Sequence, residues 1–100
     1  MKNITLVCAA GMSTSLLVNK MKEAAKKLSY EAEIQAISKD KLPEVIGQTD
    51  VLLLGPQIGY MEHEFKSKYA DQNIPIFVIN TVDYGMMNGE KVLQQAISAL

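Results

Sequence analysis

A chain of 100 residues, 48% of them hydrophobic, is long enough for one compact domain with a single core. This domain is expected to span residues 1–100. Its formal net charge of -1 provides none of the clustered positive charge that nucleic-acid binding needs. The apolar runs are far shorter than the ~20 residues that span a bilayer, and the N-terminus lacks the apolar core of a signal peptide, so a soluble cytoplasmic protein is expected.

Four short apolar runs predict four β-strands, at residues 3–8, 31–37, 50–55 and 74–80. The first, third and fourth are almost continuously apolar, which is typical of parallel strands buried on both faces. The second alternates polar and apolar residues, which is typical of an edge strand with one face in water.

Helical patterns fill the gaps between these strands. A short helix is predicted over residues 42–47, and the first long helix follows Ser13. The apolar stripes of the three long helices are Leu17, Met21, Ala24, Ala25 and Leu28; Ile58, Met61, Phe65 and Tyr69; and Val92, Leu93, Ala96, Ile97 and Leu100. Alternating strands and helices predict an α/β fold, a four-stranded parallel sheet of order 2-1-3-4 with helices on both faces.

The loop after the first strand combines the single cysteine with small and hydroxyl-bearing residues. Ligands of open parallel sheets bind beyond the carboxyl ends of the strands where the strand order reverses, here between the first and third strands. The N–H groups of a short loop and of a helix N-terminus bind anions and favour a thiolate. Cys8 is therefore the predicted nucleophile. The predicted phosphate-binding loop consists of Ala9, Ala10, Gly11, Met12, Ser13, Thr14 and Ser15.

Two features of this loop bear on its interpretation. Gly11 is expected to permit a positive φ and a close approach of the backbone to the ligand. Cys8 fits a packing role equally well from its position alone, because cysteine is among the most often buried residue types. The adjoining Gly11 and the hydroxyl run favour a reactive thiol.

Three segments, "CAAGMSTSLLV", "LLLGPQIGYM" and "NTVDYGMMNG", resemble the IIB component of the bacterial phosphoenolpyruvate-dependent sugar phosphotransferase system, lactose/cellobiose (chitobiose) class. The resemblance covers essentially the whole chain. It implies that Cys8 accepts a phosphoryl group from a phosphohistidine of the IIA partner and passes it to a sugar held by the membrane-embedded IIC permease. Because both large partners must reach the sulfur, Cys8 is expected to be accessible. A β-linked disaccharide such as cellobiose, chitobiose or lactose is implied as the sugar. The protein itself is expected in the cytoplasm, transiently at the inner face of the membrane.

The same loop resembles that of low-molecular-weight tyrosine phosphatases, in which Cys is followed, after five residues, by Arg and Ser. Thr14 stands at the arginine position, so the guanidinium that would stabilise a transferring phosphoryl group is missing. A cysteine hydrolase thus ranks second, behind the phosphoryl carrier. Its candidate general acid and base is Asp83, in a loop after the fourth strand. A passive binding module, in which Cys8 is dispensable, is the third.

Other residues near the predicted site are weaker candidates. Gln57 could donate a hydrogen bond to the phosphoryl group or to a partner, and Tyr60 is a candidate partner contact. Tyr84 is another, together with the neighbouring Met86 and Met87. His63 is expected to be a solvated surface residue, and no metal or organic cofactor is implied.

Overall fold

The computed structural model describes residues 1–8 and 11–100, with the backbone alone for residues 11–13. Within them the elements are β1 (Lys2–Cys8), α1 (Gly11–Lys27), β2 (Ala32–Ser38), α2 (Leu42–Val45), β3 (Val51–Leu54), α3 (Glu62–Lys68), β4 (Ile76–Val78), α4 (Thr81–Gly85) and α5 (Gly89–Ala99). Short 3-10 segments lie at Lys39–Lys41, Ile46–Gln48, Pro56–Met61 and Ala70–Gln72.

The four strands form one parallel sheet of order β2-β1-β3-β4, which confirms the predicted topology. Leu6 of β1 pairs with Leu53 of β3, and Cys8 pairs with Ser38 of β2. The connections from β1 and from β3 leave toward opposite sides of this pair. The carboxyl ends of β1 and β3 therefore flank the point where ligands of open α/β sheets bind.

Helices cover both faces of the sheet. Alternate strand residues point to opposite faces, so each face has its own apolar cluster. The first cluster joins Ile4, Leu6 and Leu53 to α1 and α5. The second joins Val7, Leu52 and Leu54 to α2, α3 and the segment Pro56–Met61. All four residues of β3 are completely buried, as its continuous apolar run predicts.

A glycine allows α1 and α5 to pack closely. Gly89, the first residue of α5, lies against the backbone of α1, and a Cβ atom there would stand 2.4 Å from the carbonyl carbon of Lys20. Asn88 caps α5, because its side chain accepts a hydrogen bond from the N–H of Lys91. The orientation of α1 is thus set partly by α5.

The fourth strand and the segment after it differ from the sequence prediction. β4 contains only Ile76–Val78, because Pro75 has no N–H to donate and Asn80 is already the cap of a helix. That helix, α4, was predicted as a loop. The Asn80 side chain accepts hydrogen bonds from the N–H groups of Val82 and Asp83, at 2.9 and 3.1 Å.

The first helix also differs at both ends. It begins at Gly11, before the predicted start after Ser13, and it ends at Lys27. Leu28 was predicted to belong to the buried stripe, yet it is 46% exposed. The helix stops where Ser29 adopts a left-handed conformation with φ of 55°, so Leu28 lies just beyond the end of the helix.

Candidate functional site

Three segments meet at the carboxyl edge of the sheet because all strands run in the same direction. β1 ends at Cys8, and α1 starts at Gly11. β3 ends at Leu54 and is followed by Gly55 and the segment Pro56–Met61. α4 follows β4 at the same edge. The site is therefore built from the starts of three connections on a rigid sheet.

Cys8 lies at the base of this edge and is only 3% exposed. The expectation of an accessible cysteine was wrong, because Cys8 still pairs with β2 and lies against Gly55 on the other side. The alternation of β1 places its side chain on the same face as Leu6, the face that α1 covers. Neither of the two apolar clusters formed by the residues that the structure describes includes Cys8.

Gly55 and Gln57 bring a polar side chain beside the cysteine. The N–H of Gly55 donates to the carbonyl of Val7, which holds the end of β3 against β1. A Cβ atom on Gly55 would lie 3.1 Å from Cβ of Cys8 and 2.9 Å from Oε1 of Gln57. Both groups therefore adjoin the same point. The Gln57 side chain is exposed, and its role as a site contact stays a prediction.

The predicted phosphate-binding loop is described only in part. Ala9 and Ala10, and the side chains of Met12 and Ser13, lie outside the described residues. Gly11 is the first residue of α1, and no glycine in the described part of the chain has a positive φ, so the expected left-handed conformation is not found. Ser15 is exposed on α1.

Thr14 and Tyr84 form a buried pair beneath the site. Thr14 is completely buried, and its hydroxyl and that of Tyr84 hydrogen-bond to each other at 3.2 Å. Tyr84 is only 7% exposed, so it offers little surface to a partner and does not fit the predicted docking role. The sequence carries no signal for this contact, because its two residues are 70 positions apart.

Large apolar side chains are exposed in the segments around Cys8. Tyr60 is 80% exposed and Met86 is 72% exposed, and Leu16 and Val82 are exposed as well. We call these four residues the apolar rim. Leu16 and Val82 were not predicted. Leu16 lies off the apolar stripe of α1, and such an apolar residue on the polar side of a helix is the signal that would have indicated it.

Two further candidates are placed by the helices that contain them. Asp83 lies in the first turn of α4, where its N–H donates to the Asn80 side chain, and not in a loop. His63 is exposed in the first turn of α3, between Glu62 and Glu64, as predicted for a solvated residue. Neither residue has a described contact with Cys8.

Comparison with known proteins identifies the family. The model for the lactose/cellobiose-specific IIB subunit of the PTS system matches residues 3–95. The chain belongs to this family. IIB components are phosphotransferases of a sugar phosphotransferase system, so the chain is a component of such a system. The alternative, a cysteine hydrolase, is not favoured. In the described part of the chain, no helix combines the length and apolarity needed to cross a membrane.

The similar proteins match along nearly their whole length. The oligo-beta-mannoside-specific EIIB component of Bacillus subtilis (strain 168) is 44% identical over 100 residues, covering 100% of this chain and 97% of that protein. The galactose-specific EIIB component of Lactococcus lactis subsp. cremoris (strain MG1363) is 47% identical, covering 95% and 93%.

Two solved structures have the same fold. The solution structure of a cellobiose-specific IIB component from Borrelia burgdorferi matches with a TM-score of 0.81 and 49% identity, covering 98% of this chain and 90% of that one. The lactose-specific IIB domain from Streptococcus pneumoniae matches with a TM-score of 0.88 over 98% and 96% of the two chains. Its identity is 19%, so this likeness supports the fold alone.

Proposed function

We propose that this chain carries a phosphoryl group on Cys8, from a phosphohistidine of a IIA donor protein to a sugar held by a membrane-embedded IIC permease. The observation that carries the proposal is the position of Cys8 at the end of β1, at the point where the strand order reverses, with the 17-residue helix α1 beginning at Gly11. The unpaired N–H groups of a helix start favour both a thiolate and a phosphoryl group.

The first transfer brings the phosphoryl group onto sulfur. The Cys8 thiolate attacks phosphorus in line with the histidine nitrogen, so the S–P bond forms as the P–N bond breaks and the nitrogen leaves with the electron pair. Little covalent chemistry is left to the protein, and catalysis comes from positioning and from stabilising the charge on the three phosphoryl oxygens.

The second transfer regenerates the thiolate. A hydroxyl oxygen of the sugar attacks phosphorus, the O–P bond forms as the S–P bond breaks, and the hydroxyl proton passes to a base at the permease or to water. Because Thr14 stands where the phosphatases have arginine and is buried against Tyr84, no guanidinium at this position accelerates hydrolysis of the thiophosphate. A carrier needs such an intermediate to survive until its acceptor arrives.

Several groups around Cys8 have proposed roles in holding the phosphoryl oxygens. The main donors are proposed to be backbone N–H groups of residues 9–15, of which those from Gly11 onward belong to the start of α1. Gln57 adds a side-chain amide, since it adjoins the same point beside Gly55 as the cysteine does. Rotation of a terminal amide presents either its oxygen or its N–H group to a neighbour, so Gln57 can donate to an anion.

The partners are proposed to dock on the apolar rim. Cys8 is buried, so the donor histidine and the acceptor sugar must be brought down to the sulfur. Leu16, Tyr60, Val82 and Met86 expose apolar surface on the three segments of the same edge, and interfaces are enriched in aromatic residues and methionine. Both partners need Cys8, so they use this surface in turn, in the cytoplasm at the inner face of the membrane.

The substrate class is proposed from the relatives. Similar proteins are described as specific for oligo-beta-mannoside, galactose and cellobiose. We assign this chain to uptake of a β-linked disaccharide such as cellobiose, chitobiose or lactose. The permease binds the sugar, so the choice among these is tested with the permease and not with this chain alone.

Mass spectrometry of the chain incubated with a reconstituted phosphoryl donor system tests the proposal. The wild-type chain should gain the mass of one phosphoryl group, and Cys8→Ala should gain none. His63→Ala is the matched control, because it removes the only histidine and should leave the gain unchanged. Phosphorylation lost in His63→Ala but kept in Cys8→Ala would refute the assignment. Turnover of an aryl phosphate by the chain alone, lost in Cys8→Ser, would support the hydrolase instead.

A further inference from the structure

We infer that Tyr84 is a positioning residue for phosphoryl transfer at Cys8, acting through Thr14 on the first turn of α1. This inference rests on the proposed carrier function and adds a residue that contacts neither partner. Its basis is the hydrogen bond between the Thr14 and Tyr84 hydroxyls, which joins the helix after β1 to the helix after β4.

Thr14 is an unusual residue for its position. It is the fourth residue of α1 and completely buried, on the same inward side as Leu17, Val18 and Met21. A buried hydroxyl is costly unless it is hydrogen-bonded, whereas valine has the same shape without that requirement. A threonine here therefore indicates that the hydrogen bond itself matters.

The position of Tyr84 is fixed by hydrogen bonds at the start of α4. The cap formed by the Asn80 side chain fixes α4, and the N–H of Tyr84 donates to the Asn80 carbonyl at 2.9 Å. The adjoining residue Ile79 donates its N–H to the carbonyl of Leu54, which connects this turn to the end of β3. The phenol is thus fixed relative to the sheet, and it packs in the cluster that contains α1 and α5.

The bond consequently sets where the first turn of α1 lies. The first N–H groups of a helix have no partner inside it and are the groups that face an anion. Thr14 is in that turn, so anchoring its side chain to Tyr84 fixes the direction of those N–H groups relative to Cys8. β1 and β4 are not neighbours in the sheet, and the bond therefore spans the carboxyl end of β3.

The test compares the buried hydroxyl pair Thr14–Tyr84, beyond the carboxyl ends of the strands, with a second buried hydroxyl pair near the amino end of β3. Tyr84→Phe keeps the ring and removes the hydroxyl. Thr49→Val is the matched control, since Thr49 and Thr5 form a buried hydroxyl pair at 2.9 Å and Thr49 precedes the amino end of β3. Thermal unfolding measures both variants. The loss of stability in Thr49→Val should be no smaller than in Tyr84→Phe, because the Thr49 hydroxyl also donates to the carbonyl of Val45 at 3.0 Å.

Transfer kinetics then separate positioning from stability. Tyr84→Phe should lower kcat for phosphorylation of Cys8 about tenfold with the donor KM unchanged. Thr49→Val should change neither kcat nor KM. An equal kcat in Tyr84→Phe and Thr49→Val would overturn the inference.

A double-mutant cycle makes the result independent of a single variant. Thr14→Val should reproduce the kinetic loss, and Thr14→Val with Tyr84→Phe should lose no more than either alone, because both remove the same bond. Additive losses would contradict action through Thr14. Failure of the wild-type chain to be phosphorylated would sink the carrier function itself, whereas phosphorylation of the wild-type chain with an equal kcat in Tyr84→Phe would sink only the positioning role.

Discussion

Gly55 lies directly against Cys8: a Cβ atom on Gly55 would stand 3.1 Å from Cβ of Cys8 and 2.9 Å from Oε1 of Gln57. The backbone of Gly55 has φ of -60° and ψ of 146°, which any residue adopts. A glycine is needed here for space and not for conformation. The missing side chain lets the end of β3 and the Gln57 amide approach the cysteine together.

Gly55→Ala is therefore expected to disturb the site. Gln57 can move its flexible side chain, but Cβ of Cys8 is fixed by β1, so overpacking should cost about 2 kcal/mol in the free energy of unfolding. Phosphorylation of Cys8 should slow at least about tenfold. Urea denaturation and donor-dependent phosphorylation measure the two effects.

Gly59→Ala is the control for that variant. Its added methyl group would contact the Val78 side chain at 3.6 Å, an ordinary distance, so stability should change by less than about 0.5 kcal/mol. If Gly55→Ala matched Gly59→Ala in stability and in rate, the proposed need for space beside Cys8 would be wrong.

Gln57→Leu tests the proposed amide donor. Gln57 is exposed, so stability should hardly change. The rate of Cys8 phosphorylation should fall by about 10- to 100-fold, since a donor to the developing charge is lost. The control is Gln72→Leu, which replaces another exposed glutamine, in the segment Ala70–Gln72, and should leave the rate unchanged. Equal rates of Cys8 phosphorylation in Gln57→Leu and Gln72→Leu would show that Gln57 does not contribute to the transfer.

Tyr60→Ser tests the apolar rim. The side chain is 80% exposed, so its loss should leave the fold intact, whereas loss of an aromatic interface contact should raise the apparent KM for the phosphorylated donor about fivefold. Steady-state kinetics with varied donor concentration measure it. Leu28→Ser removes another exposed apolar residue, just after the far end of α1, and should leave KM unchanged. A KM raised by both substitutions, or by neither, would argue against docking at the rim.

Gly89→Ala tests the packing of α1 on α5. The new methyl group would meet backbone atoms of Lys20 and Met21 at 2.4 and 2.6 Å, so the helices must separate and the free energy of unfolding should fall by about 3 kcal/mol. Gly85→Ala has nothing within 4 Å of its added methyl group and should be neutral or stabilising by up to about 1 kcal/mol. Thermal unfolding of the pair gives the comparison. Similar midpoints for the two would show that the helices tolerate the change.

Local patterns in the sequence were enough to predict the sheet. The continuous apolar runs of β1 and β3 and the alternating pattern of β2 follow directly from which faces are buried, and the βαβ order then predicts the parallel topology. The same reasoning predicts Cys8 at the carboxyl end of β1, where the structure has it. These features depend on neighbours in sequence, which is why they could be predicted.

Features that depend on distant contacts could not be predicted. α4 has no apolar stripe, and it forms because Asn80 caps it and Tyr84 packs into the core. The burial of Cys8 comes from the approach of Gly55, and the burial of Tyr84 from the partner it finds in Thr14. In each case the deciding contact joins segments far apart along the chain, and no local pattern records it.

The separation of 70 positions between Thr14 and Tyr84 has a consequence during protein synthesis. Cys8 and the first helix leave the ribosome early, whereas Tyr84 emerges only after most of the chain has been made. The hydrogen bond between the two hydroxyls can therefore form only after all four strands have been made, which places it among the late contacts of a chain that folds as it is synthesised.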